Sequence, residues 1–412
     1  MPVLVVPVGT RLDNGAPLTL NLNLLTRHTA VFAGSGSGKT VFIRRLIEEC
    51  ALLGVSSIVL DSNNDLARLG EPWPTPPPGW SIADEDKASR YFAETDVVIW
   101  TPGRSRGRPL SFQPLPDFAA VLDDADELES AVALAVATLA PRAGVDGTSA
   151  KARKGKAVLH EAVRHFARRG GGDFTAFLGM LGSLPFEASQ IDRADTIAAE
   201  LGQLLTAAMI TDPLFAGDGE PADPARLLTP PPGKRARVSV ISFVGLADDA
   251  RPGFVNRLQM ALFSWIKRNP ARDRPLTGLY VMDEAQSFVP ATSKTEALAS
   301  ALTLASQARK YGLGLVFATQ SPRGLHNQIA GNATTQFIGR MNSPTQQAVV
   351  QELARSRGGR AARVGRLETG QFYVATEGLT EVLVRTPQCL THHPADPLTE
   401  PEIMERATEQ AD

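Results

Sequence analysis

Residues 29–40 read TAVFAGSGSGKT and are followed at once by VFIRRLIEECALL. The apolar run Ala30-Val31-Phe32 predicts a buried strand, the glycine-rich stretch a tight loop, and the amphipathic segment after it a helix. Gly34, Ser35, Gly36, Ser37 and Gly38 let the backbone curl so that successive N–H groups converge on one concavity. With a helix N-terminus behind it, that concavity is an anion cradle suited to a nucleoside triphosphate. Lys39 is placed to reach the β- and γ-phosphates and the hydroxyl of Thr40 to bind Mg²⁺, with Val41 completing the expected contacts to ATP. One departure is visible: in the pattern G-x-x-x-x-G-K-[ST] the first glycine is Ala33. That position ends the strand, where a methyl group is tolerated.

A second stretch supplies the rest of the chemistry. Leu279-Tyr280-Val281-Met282 predicts a buried strand ending in Asp283-Glu284. Two adjacent carboxylates at a strand end are costly without partners or a task. Beside a phosphate loop, Asp283 is expected to hold Mg²⁺ through its water, and Glu284 to act as general base on the attacking water. The strand LGLVFATQ, 313–320, would bring Thr319 and Gln320 beside the γ-phosphate, where Gln320 would position the hydrolytic water.

Composition sets few limits. The chain has 412 residues, 42 basic and 44 acidic side chains. Near-neutral charge neither supports nor excludes a nucleic-acid partner, because local patches decide that. Cys50 and Cys389 have no metal-site spacing and form no disulfide framework, which fits a reducing cytoplasm. The N-terminus lacks a basic n-region, its apolar run is broken by Pro7, and no window has about 18 consecutive apolar residues, so neither a signal peptide nor a membrane span is expected.

The expected fold is α/β: a RecA-like P-loop core with a mainly parallel sheet and an inserted helical subdomain. Residues 1–27 form a short β segment folded as a hairpin about Asp13-Asn14-Gly15; 28–116 and 211–386 are the two parts of the core; 387–412 is a polar, acidic tail. Between 117 and 210 the apolar period becomes helical, which marks the insert. Within 142–169 of it, Arg142, Lys151, Arg153, Lys154, Lys156, Arg164, Arg168 and Arg169 face only Asp146 and Glu161. The stretch GVDGTSAKARKGK has the composition of a flexible basic loop: either a DNA-backbone contact or a solvated helix end. Arg104, Arg106 and Arg108 follow a strand end and contact phosphates or form a plain basic loop. Asp61, at another strand end, orients water or metal or caps a turn. The hairpin GQFYVATEGLTEVLVRT is expected to close the sheet.

Taken together, AGSGSGKT, TPGRSRGRPLSFQP, LYVMDEAQSFVP, ARKYGLGLVFATQSPRGL and NATTQFIGRMNSP resemble the HerA/FtsK superfamily of P-loop motors, the HerA-like branch most. The resemblance covers about residues 5–395. It implies a ring of six identical subunits with DNA in the pore and ATP at the interfaces. Arg340 matches the arginine a neighbour inserts at the γ-phosphate, with Arg309 and Lys310 as second candidates. The family also implies an N-terminal barrel and a nuclease partner. Fewer than 30 residues precede the loop here, too few for a barrel, which leaves room for a different effector. The expected activity is thus ATP-driven DNA translocation; the alternatives are a secretion- or conjugation-type motor and a nucleotide-switched scaffold.

Overall fold

Thr29–Phe32 is fully buried and pairs in parallel with a strand on each side. It belongs to an eleven-stranded sheet in the computed structural model, which describes residues 3–104, 106–212, 214–215 and 219–409. In chain order the strands are β1 (Val5–Arg11), β2 (Pro17–Asn21), β3 (Thr29–Phe32), β4 (Ser57–Asp61), β5 (Thr95–Trp100), the two-residue β6 (Leu110–Ser111) and β7 (Glu220–Pro221), β8 (Ala236–Ser242), β9 (Gly278–Met282), β10 (Leu313–Thr319), β11 (Thr335–Ile338), β12 (Gln371–Thr376) and β13 (Leu379–Arg385). Across the large sheet the order is β2-β1-β13-β12-β11-β3-β10-β9-β4-β8-β5.

From β11 to β5 every pairing is parallel. Parallel strands are covered on both faces, which is why TAVF, SIVLD, GLYVM and LGLVFAT are apolar runs without alternation. β10 lies between β3 and β9, with Thr319 opposite Phe32 and Phe317 opposite Met282. The ends of the three strands therefore meet at one level. β12 and β13 form the expected hairpin, but it does not close the sheet. β1 pairs antiparallel with β13, Thr10 opposite Arg385, and β2 is the edge. The N-terminal hairpin covers a strand edge that would otherwise be open to another chain.

Helix α1 (Lys39–Leu52) is anchored by Phe42, whose ring centroid lies 4.3 Å from that of Phe337 and 5.3 Å from that of Phe372. Helix α2 (Ile82–Glu94) begins with a capping box of Ser81 and Asp84, and Asp84 Oδ1 also accepts from Arg45 Nη2 at 2.6 Å, joining α2 to α1. Beneath α1, Arg44 and Glu48 are fully buried. Glu48 accepts from the N–H groups of Leu390 (2.7 Å) and Thr391 (3.0 Å), and Arg44 donates to the carbonyls of Asp65, Arg68 and His392. The segment after β13 is thereby strapped to the helix that leaves the glycine loop.

Residues Leu110–Ala222 form a second compact unit. It holds α3 (Ala125–Leu139), α4 (Ala150–Arg168), α5 (Phe174–Gly182) and α6 (Ala194–Thr211) around a core that includes Val132, Leu139, Leu159, Phe166, Phe177 and Leu205. The stretch read as a flexible basic loop is largely helix. Ser149 caps α4 by accepting from Ala152 N–H at 3.1 Å, and Gly155 lies inside the helix against Val145. Glycine there marks close packing rather than freedom, so Lys151, Arg153, Lys154 and Lys156 stand on a helix.

Candidate functional site at the strand tips

The loop Gly34–Gly38 leaves β3 and turns into α1. Gly36 (φ 69°) and Gly38 (φ 91°) adopt left-handed backbone, which favours glycine. Gly34 N–H donates to the carbonyl of Arg340 at 2.8 Å, and a Cβ on Gly34 would lie 3.1 Å from that oxygen. The alanine in place of the first glycine has a counterpart across the sheet. A Cβ on Gly339, just after β11, would meet the Ala33 methyl at 2.9 Å. The methyl group is accommodated because the facing residue has none.

The loop's carbonyls are tied to its own chain. Gly36 O accepts from Arg340 Nη2 at 2.8 Å and Thr369 Oγ1 at 2.9 Å; Ser35 O accepts from Asn342 Nδ2 at 3.2 Å, and Ser37 O from Gly370 N–H at 2.9 Å. The first N–H groups of α1 have no intrahelical acceptor. The buried Ser37 Oγ has no partner among the described residues. Donors without acceptors, in a glycine cradle, fit the phosphates of a nucleotide. Thr40 is part-exposed at the same helix end, and its hydroxyl makes no hydrogen bond among the described residues, so it fits as a ligand of Mg²⁺. Among the described residues no three His, Cys, Asp or Glu gather as a metal cage. Mg²⁺ in such sites needs only one or two protein oxygens besides phosphate and water.

Lys39, Asp283, Glu284 and Gln320 converge at the tips of β3, β9 and β10. Lys39 Nζ donates to Asp283 Oδ1 at 2.8 Å and to Glu284 Oε1. Glu284 Oε1 also accepts from Gln320 Nε2 at 2.7 Å, and Oε2 from Gln286 Nε2 at 2.7 Å. Gln286 is held in turn by Thr319 Oγ1, which donates to its Oε1 at 2.5 Å. Burial works against ionisation of both acids. For Glu284 the charge of Lys39 and the bonds from Lys39, Gln286 and Gln320 prevail and lower its pKa; for Asp283 burial prevails and raises it. Lys39 is itself desolvated, but the two carboxylates outweigh this and raise its pKa. Glu284 has φ 49°, an uncommon backbone for a side chain of its size. Such strain costs about 1–3 kcal/mol and is found where a side chain must be aimed.

Gln286, Asn342, Thr369 and Gly370 were not foreseen from sequence. Gln286 had a signal, its place two residues after the acidic pair; Thr369-Gly370 had only its glycine. Asp61 caps the turn after β4, accepting from the N–H groups of Asp65 (3.1 Å) and Leu66 (3.0 Å); burial and the charge of Asp283 push its pKa up to about 7. Of the arginine loop, Arg104 pairs with Glu400 and Arg108 lies over the Trp100 ring. Arg340, matched by resemblance to a residue offered to a neighbour, rests on the glycine loop of its own chain. Arg309 and Lys310 are exposed just before β10, at the opposite end of that strand from Gln320.

Fold and site together define a RecA-like P-loop ATPase. Residues 6–207 match the family model described as the central domain of the helicase HerA. The DNA double-strand break repair helicase HerA of Sulfurisphaera tokodaii is 19% identical over 350 residues, 84% of this chain and 61% of that protein. Its counterpart from Saccharolobus solfataricus is 29% identical over 122 residues, 29% of this chain and 24% of that one. The chain thus spans less than two thirds of the length of either relative. Among solved structures, VirB4 of Thermoanaerobacter pseudethanolicus superposes with a TM-score of 0.54 at 14% identity, covering 92% of this chain and 96% of that one. The plasmid coupling protein TrwB, in complex with a GTP analogue, gives 0.51 at 16% identity, covering 97% and 98%. Over residues 6–207, just under half of its length, the chain is thus similar to P-loop ATPases of the HerA type. Among the described residues no helix is long and apolar enough to cross a membrane.

Proposed function

We propose that the chain is the subunit of a ring-forming, DNA-translocating motor that hydrolyses ATP between neighbouring subunits. The observation that carries the ATPase part is the junction of Lys39, Asp283, Glu284 and Gln320 at three adjacent strand tips. DNA as the track, and six as the number of subunits, rest on the likeness to HerA.

Glu284 deprotonates the attacking water, and Gln320 and Gln286 hold its carboxylate in place. Lys39 exchanges partners during the cycle. While it pairs with the acids it keeps Glu284 ionised and weakly basic. When its ammonium turns to the phosphates, burial raises the basicity of Glu284 at the moment a base is required. Thr40 and Asp283 would hold Mg²⁺, which when bound offsets charge on the phosphates. Arg340 adds a guanidinium at the loop itself. Arg309 and Lys310, far from their own loop, are the cations this chain offers to a neighbour. DNA contact is through the phosphate backbone, which makes it salt-dependent and tolerant of sequence.

The test is ATP turnover with and without duplex and single-stranded DNA in wild type, Lys39→Ala and Glu284→Gln. Stimulation by DNA, lost in both variants, is expected. Turnover stimulated by unfolded protein and not by DNA would move the reading to a protein-translocating motor.

A further inference from the structure

Strand β10 ends at Thr319, and the next residue, Gln320, places its amide on Glu284. A side chain beyond a strand end keeps its aim only while the backbone beneath it is held. The carbonyl of Gln320 lies past the last ladder bond and needs a donor from elsewhere. Among the described residues it has one: Gln346 Nε2, at 3.0 Å.

Gln346 stands in the first turn of the helix Pro344–Arg355. The run Ser343-Pro344-Thr345-Gln346 has the pattern of a capping box. In that motif the serine hydroxyl accepts from the N–H three residues on, and the glutamine side chain turns back to the N–H of the serine. The first half is made: Ser343 Oγ accepts from Gln346 N–H at 3.2 Å. The second half is not made among the described residues. Gln346 turns its side chain to Gln320 instead. The helix also starts from residues that hold the phosphate loop, since Asn342 and Arg340 donate to the carbonyls of Ser35 and Gly36. In the sheet β3 separates β11 from β10. Gln346 therefore joins the tips of two strands that are not neighbours.

Gln320 Nε2 and Lys39 Nζ donate to the same oxygen of Glu284, Oε1. When the ammonium turns to the phosphates, Gln320 is the donor left on that oxygen. Its own Oε1 makes no hydrogen bond among the described residues. An amide is donor and acceptor at once, so Gln320 can hold the base with one end and accept from the attacking water with the other.

We propose that Gln346 is a positioning residue for hydrolysis: it fixes Gln320 so that one amide spans the base and the attacking water. The proposal rests on the ATPase reading of the site. Gln346 acts through Gln320 and not on the nucleotide.

The experiment is steady-state ATP hydrolysis and thermal melting of the full chain in wild type, Gln346→Glu, Gln346→Ala, Gln320→Ala and the double variant of Gln346→Glu with Gln320→Ala. Gln346→Glu keeps the shape, removes the donor and can close the capping box, so its melting midpoint should hold or rise. Its kcat should fall about tenfold or more, with KM for ATP unchanged. Gln346→Ala, which adds no charge, should show the same fall in kcat. Once Gln320→Ala has removed the amide, adding Gln346→Glu should cost nothing further. The proposal is overturned if Gln346→Glu hydrolyses ATP at the wild-type rate, if its melting midpoint falls together with kcat, or if its effect is undiminished beside Gln320→Ala. If Lys39→Ala hydrolyses ATP like wild type, the ATPase reading fails and the proposal with it, a result separate from any effect at Gln346.

Discussion

Lys39 Nζ lies 2.8 Å from Asp283 Oδ1 and donates at the same time to Glu284 Oε1. One cation thus serves two acids that burial would otherwise push toward protonation. Nucleotide must compete with this pairing for the ammonium. Glu284→Gln removes half of the competition together with the base. Hydrolysis should fall by about 10²–10⁴-fold, while ATP binds about threefold tighter. Phosphate release and equilibrium binding, measured on one preparation, test both. Turnover at the wild-type rate would remove Glu284 from its role.

Arg44 and Glu48, joined through the Thr391 hydroxyl, which accepts from Arg44 and donates to Glu48 Oε1, are a stability element. Both side chains are fully buried, and Glu48 ties Leu390 and Thr391 to α1. Glu48→Ala leaves a buried guanidinium without its countercharge and should cost about 3–5 kcal/mol. Urea unfolding should show the loss, and limited proteolysis should cut first in the released strap. A loss below about 1 kcal/mol would show that the carbonyls around Arg44 suffice alone.

His28 precedes β3, and burial, aided by the charge of Arg309 against the backbone of Ala305, pulls its pKa down to about 4. The unfolded chain binds that proton near pH 6.5, so the folded state loses stability as pH falls from there toward about 4 and is unaffected above. His28→Asn keeps a residue tolerant of the local φ of 64° and cannot titrate. Thermal melts of wild type and variant should agree near about pH 8 and diverge below about pH 6, with the variant the less acid-sensitive.

The phosphate loop, the acidic pair and the strand bearing Gln320 were legible because each is a local pattern: a buried run that ends in a residue whose chemistry has no structural excuse. What was not legible depends on residues far apart in sequence. Nothing near Ala33 announces that Gly339 faces it. Thr369-Gly370 carries no chemistry of its own, and only the sheet order brings it onto Gly36 and Ser37. The N-terminal hairpin was predicted as a hairpin, but its place outside β13 is a matter of edge pairing, which composition does not encode. Lys151–Lys156 misled for a local reason: the glycines and lysines of a loop also suit a helix when Gly155 meets Val145.

On α4, Lys151, Arg153, Lys154 and Lys156 are exposed, and none forms an ion pair among the described residues. If they lie on the DNA backbone, replacing all four by Gln should lower affinity uniformly across sequences. It should also reduce the slope of log affinity against log salt on duplex DNA by up to about 3.6. ATP turnover without DNA should stay at the wild-type level. An unchanged salt slope would assign this face to solvent.

Arg340 and Arg309 separate two ways of using an arginine. Arg340 Nη2 donates to Gly36 O of the same chain at 2.8 Å, whereas Arg309 stands just before β10, at the opposite end of that strand from Gln320, and in the proposed ring it would serve a neighbour's nucleotide. Each single variant to Ala should slow hydrolysis by about 10²-fold or more, the scale of a lost transition-state cation. Mixing distinguishes them. In a ring of Lys39→Ala and Arg309→Ala subunits, some interfaces join an intact loop to an intact Arg309, so activity should return above that of either parent. In a ring of Lys39→Ala and Arg340→Ala subunits, no loop keeps both its lysine and its arginine, so activity should not return. Recovery in the second mixture would mean that Arg340 leaves its own loop for a neighbour's; no recovery in the first would take Arg309 out of the interface.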